Sequence, residues 1–228
     1  MYLEEVSHNG GAGAAIGIIE SGVAEVQTFE PVFAKWEDWP PSRISHHETD
    51  CCEIAREWLT STDRSQLGAG SRLTGPRWIR QVFTWGGSRF PIYWCEAVRK
   101  KKLDCGALAA LSCEIFQARG VRVFPAQLVQ KYSKIATDQW TNNWFEDDNS
   151  PLPWVDRDLI YHEGCAVITG SGDIKVWDAS AGWWIDPRST NGYGSLLALR
   201  ISSFGETFPS EKLTWGMHTI EPERWLLV

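Results

Sequence analysis

The 228-residue chain has no uninterrupted apolar stretch near the roughly 20 residues that a membrane-spanning helix requires, which sets a helical membrane protein aside. It has no basic surplus either. Its 22 lysines and arginines stand against 29 acids, and the net charge of -7 argues against a nucleic-acid-binding surface. No Cys-x-x-Cys pair occurs among the six cysteines, at positions 51, 52, 95, 105, 113 and 165. The adjacent Cys51 and Cys52 are a poor start for a disulfide framework. The opening MYLEEVSHNGGAGAAIGII places acids where a signal peptide carries basic residues, so the expectation is a cytoplasmic chain with six free thiols. No internal repeat or low-complexity segment is evident.

What is present is a globular composition, 43% hydrophobic and 22% charged, with fourteen tryptophans to fill a core or line an aromatic groove. The length suits a single domain over 1–228 with sizeable additions. Short strands are expected at Gly13–Ile19 and Val23–Phe29, and a helix over His46–Leu59 with Ile54, Ala55, Trp58 and Leu59 on one face. Residues 60–76 read as loop, and Pro76 suits the start of a helix through Trp78, Ile79, Val82 and Phe83.

The strongest helical signal runs from Asp104 to Arg119. Asp104 suits the N-cap, Leu108, Leu111, Ile115 and Phe116 make an apolar stripe, and Gly120 suits the stop. A strand follows over Val121–Val129, where Pro125 suggests an edge or a break. Residues 133–158 read as a polar surface loop. Strands Tyr161–Thr169 and Ile174–Ala179 flank GSGD as a hairpin, with further strands expected near Trp183–Pro187, Leu196–Ser202 and Trp215–Ile220.

Three residues in this order carry chemistry. Cys105 falls in the first turn of a helix, where unpaired N–H groups and the positive dipole end favour a thiolate. His162 opens a strand and Asp178 lies on the next. A nucleophile needs a base within hydrogen-bond reach and a third group to orient that base. Parity matters here: a hairpin loop with an even number of residues would put His162 and Asp178 on opposite faces, so an odd loop or a bulge is required. Gly106 leaves room for a substrate carbonyl. Cys113, two turns along the helix, and Cys165, at an odd offset from His162, read as packing residues.

These segments resemble the transglutaminase-like cysteine enzymes. LDCGALAALSCEIFQARGVRVFPAQLV is similar to that superfamily's nucleophile helix and following strand, and YHEGCAVITGSGDIKVWDAS to its His strand, hairpin and Asp strand. RWIRQVF and WCEAVRKKKLDC resemble the preceding helix and the lead-in to the cysteine. The resemblance covers about 77–187, leaving an N-terminal extension 1–76 and a C-terminal extension 188–228. It implies an α+β, papain-like core with the nucleophile helix packed on an antiparallel sheet. It also implies Cys105 as nucleophile, His162 as general base and then acid, and Asp178 as the orienting group. The oxyanion would be held by the Cys105 backbone N–H and, as a second donor, the Trp94 indole. WIDP at 184–187 offers Asp186 as an alternative acid, but the shorter spacing from His162 favours Asp178.

The function expected is acyl transfer through a cysteine thioester, first as hydrolysis of a peptide or other amide. The alternatives are an acyltransferase that joins a thioester-linked acyl group to an amine, and a non-catalytic binding module on the same fold. The basic run before Cys105, with Lys100, Lys101 and Lys102, would suit an anionic substrate or an acidic acyl carrier protein. His46, His47, Cys51 and Cys52 invite a metal, since His47 and Cys51 are four apart and could share one ion. No second ligand pair at a zinc-like spacing accompanies them, so neither a metal nor a cofactor is expected.

Overall fold

The computed structural model describes residues 33–88, 91–148, 154–170, 172–185, 195–203 and 212–228. The strands expected at 13–19 and 23–29, and Asp186, lie outside them. One compact unit runs from Lys35 to Val228. In chain order its described elements begin with β1 (Ile44–Ser45), α1 (Asp50–Leu67), α2 (Ile79–Val82), β2 (Thr84–Trp85) and β3 (Ile92–Tyr93). There follow α3 (Trp94–Lys100), β4 (Lys102–Leu103), α4 (Cys105–Ala118), β5 (Val123–Lys131), α5 (Lys134–Asp148) and β6 (Val155–Asp156). The remainder is strand: β7 (Leu159–Ile168), β8 (Ile174–Asp178), β9 (Trp183–Ile185), β10 (Ser195–Ile201), β11 (Leu213–Trp215), β12 (His218–Ile220) and β13 (Leu226–Leu227).

The frame is a mixed helix-and-strand architecture around one antiparallel sheet in the order β13-β10-β5-β7-β8-β9, with β6 added against β7. Helix α4 packs on β5 and β7, and α1 packs on α3 and α4. On the helix side, Leu59, Leu111, Ile115, Phe116, Val167 and Trp177 belong to one buried cluster. A second cluster gathers Leu128, Ala166, Val176, Leu199, Trp215 and Ile220. The packed interior therefore draws on α1 and on β10 to β12 as well as on 77–187. No helix among the described residues is long and apolar enough to cross a membrane.

Three expectations are corrected. Helix α1 begins at Asp50 and continues through 60–67, which had read as loop. Its buried stripe is Cys52, Ala55, Leu59 and Asp63, whereas Ile54 is 64% exposed. The Ser and Thr residues that suggested a loop are accommodated because Thr60 Oγ1 donates to Arg56 O and Ser61 Oγ to Trp58 O. The polar stretch after Ser133 contains α5. The Ser133 hydroxyl accepts from the Ala136 N–H, and a Lys134–Asp138 pair at 2.6 Å adds i,i+4 support. Pro125 sits in the central strand β5. Its carbonyl accepts from Ser202, so its donor-less nitrogen faces the same side, past the last β5–β10 pair at Ala126–Ile201.

The acid in the α1 stripe is held by partners. Asp63 accepts from Arg119 at 2.5 and 2.7 Å and from the Trp78 indole at 2.9 Å, with the Arg119 and Asp63 side chains 6% and 4% exposed. Asp63→Ala leaves Nε and Nη2 of a buried guanidinium and a buried indole N–H unmatched, while Arg119 Nη1 keeps the Arg72 and Thr74 carbonyls. The expected cost is about 3–5 kcal/mol, read as a fall in the urea midpoint.

Candidate active site

Helix α4 starts where its cap dictates. Asp104 is extended, and its Oδ1 accepts from the Ala107 N–H at 2.8 Å. The Asp104 N–H in turn donates to Ser88 Oγ at 2.9 Å. Cys105 is thereby fixed as the first helical residue, with its backbone N–H among those that have no partner within the helix. Cys105 is half-buried and lines a cavity of about 610 Å³ that His162 and Asp178 also line.

The hairpin brings the other two together. The β7–β8 register pairs Cys165 with Trp177 and Ile168 with Ile174. Continued, it sets Asp178 opposite Gly164, two residues from His162 and on the same face. This is the odd-loop solution to the parity requirement. Asp178 Oδ1 accepts from the Ala181 N–H at 2.9 Å, and Oδ2 stands 3.0 Å from His162 Nε2. The imidazole and the carboxylate form a close pair across this contact. Nε2 is thus committed to the carboxylate, and Nδ1 is the nitrogen left for the Cys105 thiol.

Charge in this buried setting follows from the neighbours. Burial would depress the His162 imidazole, but the Asp178 carboxylate and the Cys105 sulfur outweigh it and hold it well above its ordinary range. Burial would raise Asp178; the His162 charge and the backbone N–H groups of Ala181 and Ser180 overcome this and hold it low. Burial pushes the Cys105 thiol up, opposed by the hydrogen bond and charge of His162. Asp104 is pushed up to about 7, by burial first and by the charge of Glu163, against the Ala107 and Gly106 N–H groups. The arrangement can place a thiolate beside an imidazolium at the end of a helix, with a carboxylate behind the ring.

Several residues enter the site without a signal in the sequence reading. Glu163, 4% exposed, accepts from the Ser42 N–H at 2.9 Å, from Ser42 Oγ at 2.8 Å and from Tyr161 OH at 2.9 Å. Gln127 Nε2 donates to Tyr161 OH at 2.6 Å and to the Trp39 carbonyl at 2.8 Å, and Arg200 Nε donates to Gln127 Oε1 at 2.8 Å. This network ties the 39–42 segment across the start of α4. A Cβ on Gly106 would lie 2.1 Å from Ser42 Oγ, so the missing side chain admits Ser42, and the glycine also lines the cavity. The signal available was the pair Tyr161 and Glu163, two polar side chains at one-face spacing on either side of His162.

Other candidates lie elsewhere. Trp94 is buried in the core with the Arg56 guanidinium 5.7 Å from its ring centroid, and it is not among the residues lining the cavity. Lys100, Lys101 and Lys102 do not line it either; Lys101 takes a left-handed conformation at the end of α3, and Lys102 pairs with Thr84. Cys113 and Cys165 are buried 3.3 Å apart, with Cys165 also donating to the Ala109 carbonyl. The tryptophans divide between both expected roles: Trp36, Trp78, Trp94, Trp177 and Trp215 are core, while Trp39, Trp85, Trp154 and Trp183 line the cavity.

No family model matches the chain, and no curated protein sequence matches it. A solved structure from Cytophaga hutchinsonii, bearing the name "Putative Cysteine Protease", aligns with 68% of this chain at 12% identity and a TM-score of 0.37. The alignment covers 55% of that protein, so the chain spans about half its length.

Proposed function

We propose that the protein is a cysteine-dependent acyl-transfer enzyme with a transglutaminase-like, papain-like core, and that it hydrolyses an amide bond. The observation that carries this is the 3.0 Å approach of His162 Nε2 to Asp178 Oδ2 on the cavity wall shared with Cys105. His162 Nδ1 takes the thiol proton, and Cys105 Sγ attacks the substrate carbonyl carbon. The new C–S bond forms as the C=O π pair moves to oxygen, where the Cys105 N–H meets it. Collapse breaks the C–N bond, and the leaving amine takes the proton from His162. Water then gives a proton to His162, attacks the thioester carbon, and releases the acid as the thiol is restored. Asp178 holds the ring and stabilises its charged form throughout.

One observation favours a second reading, transfer to an amine. Trp39, Trp85, Trp154 and Trp183 line the cavity, and the Trp85 and Trp154 rings meet edge to face at 5.9 Å. Such apolar walls disfavour water as the second nucleophile. On that reading the donor is a thioester, and the exposed Lys100 and Lys101 suit an acidic carrier protein.

Incubation with a model acyl thioester and a primary amine separates the two. Hydrolysis predicts free acid in excess over amide by chromatography; amide in excess assigns transfer. If neither product forms and no acyl-Cys105 adduct is trapped, both enzymatic readings fail and a binding module remains.

A further inference from the structure

We propose that His47, Cys51, Cys52 and Cys95 bind a soft divalent cation of the zinc class, which clamps the start of α1 to the start of α3. One ring nitrogen of His47 and the three sulfurs all lie within 4.8 Å of one another. Cys52 Sγ is 3.3 Å from His47 Nδ1 and 3.8 Å from Cys95 Sγ, and Cys51 Sγ is 2.8 Å from Cys95 Sγ. Around a tetrahedral zinc with bonds of about 2.3 Å to sulfur and 2.0 Å to nitrogen, ligand atoms stand roughly 3.5–3.8 Å apart. The set meets this spacing along the Cys52–Cys95 edge, is about 0.2 Å short of it along the Cys52–His47 edge, and needs an opening of about 1 Å along the Cys51–Cys95 edge. That edge is also wider than the roughly 2.0 Å of a disulfide.

The donor chemistry is selective. Three thiols and one imidazole suit zinc and not the oxygen-seeking cations calcium and magnesium. Three thiolates, a neutral imidazole and a dication sum to one negative charge, placed in the first turn of the 18-residue α1, where the helix dipole favours it. The His47 ring is oriented by stacking on Tyr93, with centroids 4.2 Å apart, and Thr49 Oγ1 lies 3.2 Å from Cys51 Sγ. Cys52 is buried, His47 and Cys95 are half-buried and Cys51 is exposed, so an ion could enter from one side and be shielded on the others.

The fourth ligand explains why the sequence alone showed no site: Cys95 lies 43 residues beyond Cys52 and meets it only because α1 packs on α3. None of the four lines the cavity that holds Cys105. The chain passes from Cys95 through α3 and β4 to the Asp104 cap, so the cation braces the segment that delivers Cys105.

The reduced, full-length chain, grown with zinc, is expected to carry one zinc per chain by plasma mass spectrometry. Exchange for Co²⁺ should give the visible bands of tetrahedral cobalt and a thiolate charge-transfer band that weakens in Cys51→Ser and in Cys95→Ser. Chelation should lower Tm by about 10 °C, reversibly on adding zinc. Cys105→Ala should keep its full zinc content, which separates this site from the proposed catalytic one. Absence of a tetrahedral cobalt spectrum from the reduced native chain overturns the inference, and so does a Cys95→Ser protein that holds as much zinc as the native one. The native spectrum decides the matter even where a serine variant fails to fold.

Discussion

Cys105→Ala is expected to reduce turnover by about 10⁴-fold or more, because the bond-forming atom is removed and only binding and the oxyanion donor remain. That factor corresponds to about 5 kcal/mol of lost transition-state stabilisation. In the proposed mechanism the thiol makes the covalent intermediate: it sits beyond the Asp104 cap, half-buried on the cavity wall, beside an imidazole whose charge favours its ionised form. The fold should survive, since alanine suits a helix N-terminal turn. Iodoacetamide followed by peptide mapping checks the same assignment in the native chain. Cys105 should be labelled well before Cys113 and Cys165, which are buried against each other. Full activity in the alanine protein, or equal labelling of the three, ends the nucleophile reading.

Asp178→Asn is expected to lower kcat by roughly 10²–10⁴-fold and to move the pH dependence of Cys105 alkylation to higher pH. The sign follows from the neighbours already described. Asp178 is ionised in the fold, and its charge is what keeps His162 above its ordinary range against burial. With a neutral amide at that position burial dominates, so the imidazole loses its proton at lower pH. The thiolate then loses the positive partner that lowers its pKa, and the thiol ionises at higher pH. A structural role alone would lower stability and leave the alkylation profile where it was. An unchanged profile in a folded Asp178→Asn protein therefore removes Asp178 from the proposed triad.

What the sequence reveals is whatever is written locally. The Asp104 cap, the stripe from Leu108 to Phe116 and the turn after Arg119 define α4 almost to the residue, because cap, stripe and stop agree. The hairpin is legible for the same reason, and so is the order of Cys105, His162 and Asp178. Whether His162 and Asp178 share a face is not legible, because it depends on the parity of one turn. The extension of α1 to Leu67 is hidden because Asp63 belongs to a buried stripe through Arg119 and Trp78, 56 and 15 residues away. Helix α5 has no apolar stripe to announce it. Ser42 and Glu163 meet across 121 residues, and Cys95 reaches Cys51 across 44. For Asp63, Ser42 and Cys95 the missing information is a long-range contact that no local window of sequence contains.

The chain of contacts from Arg200 through Gln127, Tyr161 and Glu163 to Ser42, with Gly106 beneath, has a consequence for how this site can be altered. Its members share partners, so each one sets the environment of the next. Single substitutions along it will not sum. Once Glu163 is removed, the later loss of the Ser42 hydroxyl has little left to break, whereas either change alone leaves a polar group without its match. The region between sheet and helix therefore behaves as one unit under mutation, and residues 39–42, far from Cys105 in sequence, share in whatever constrains it.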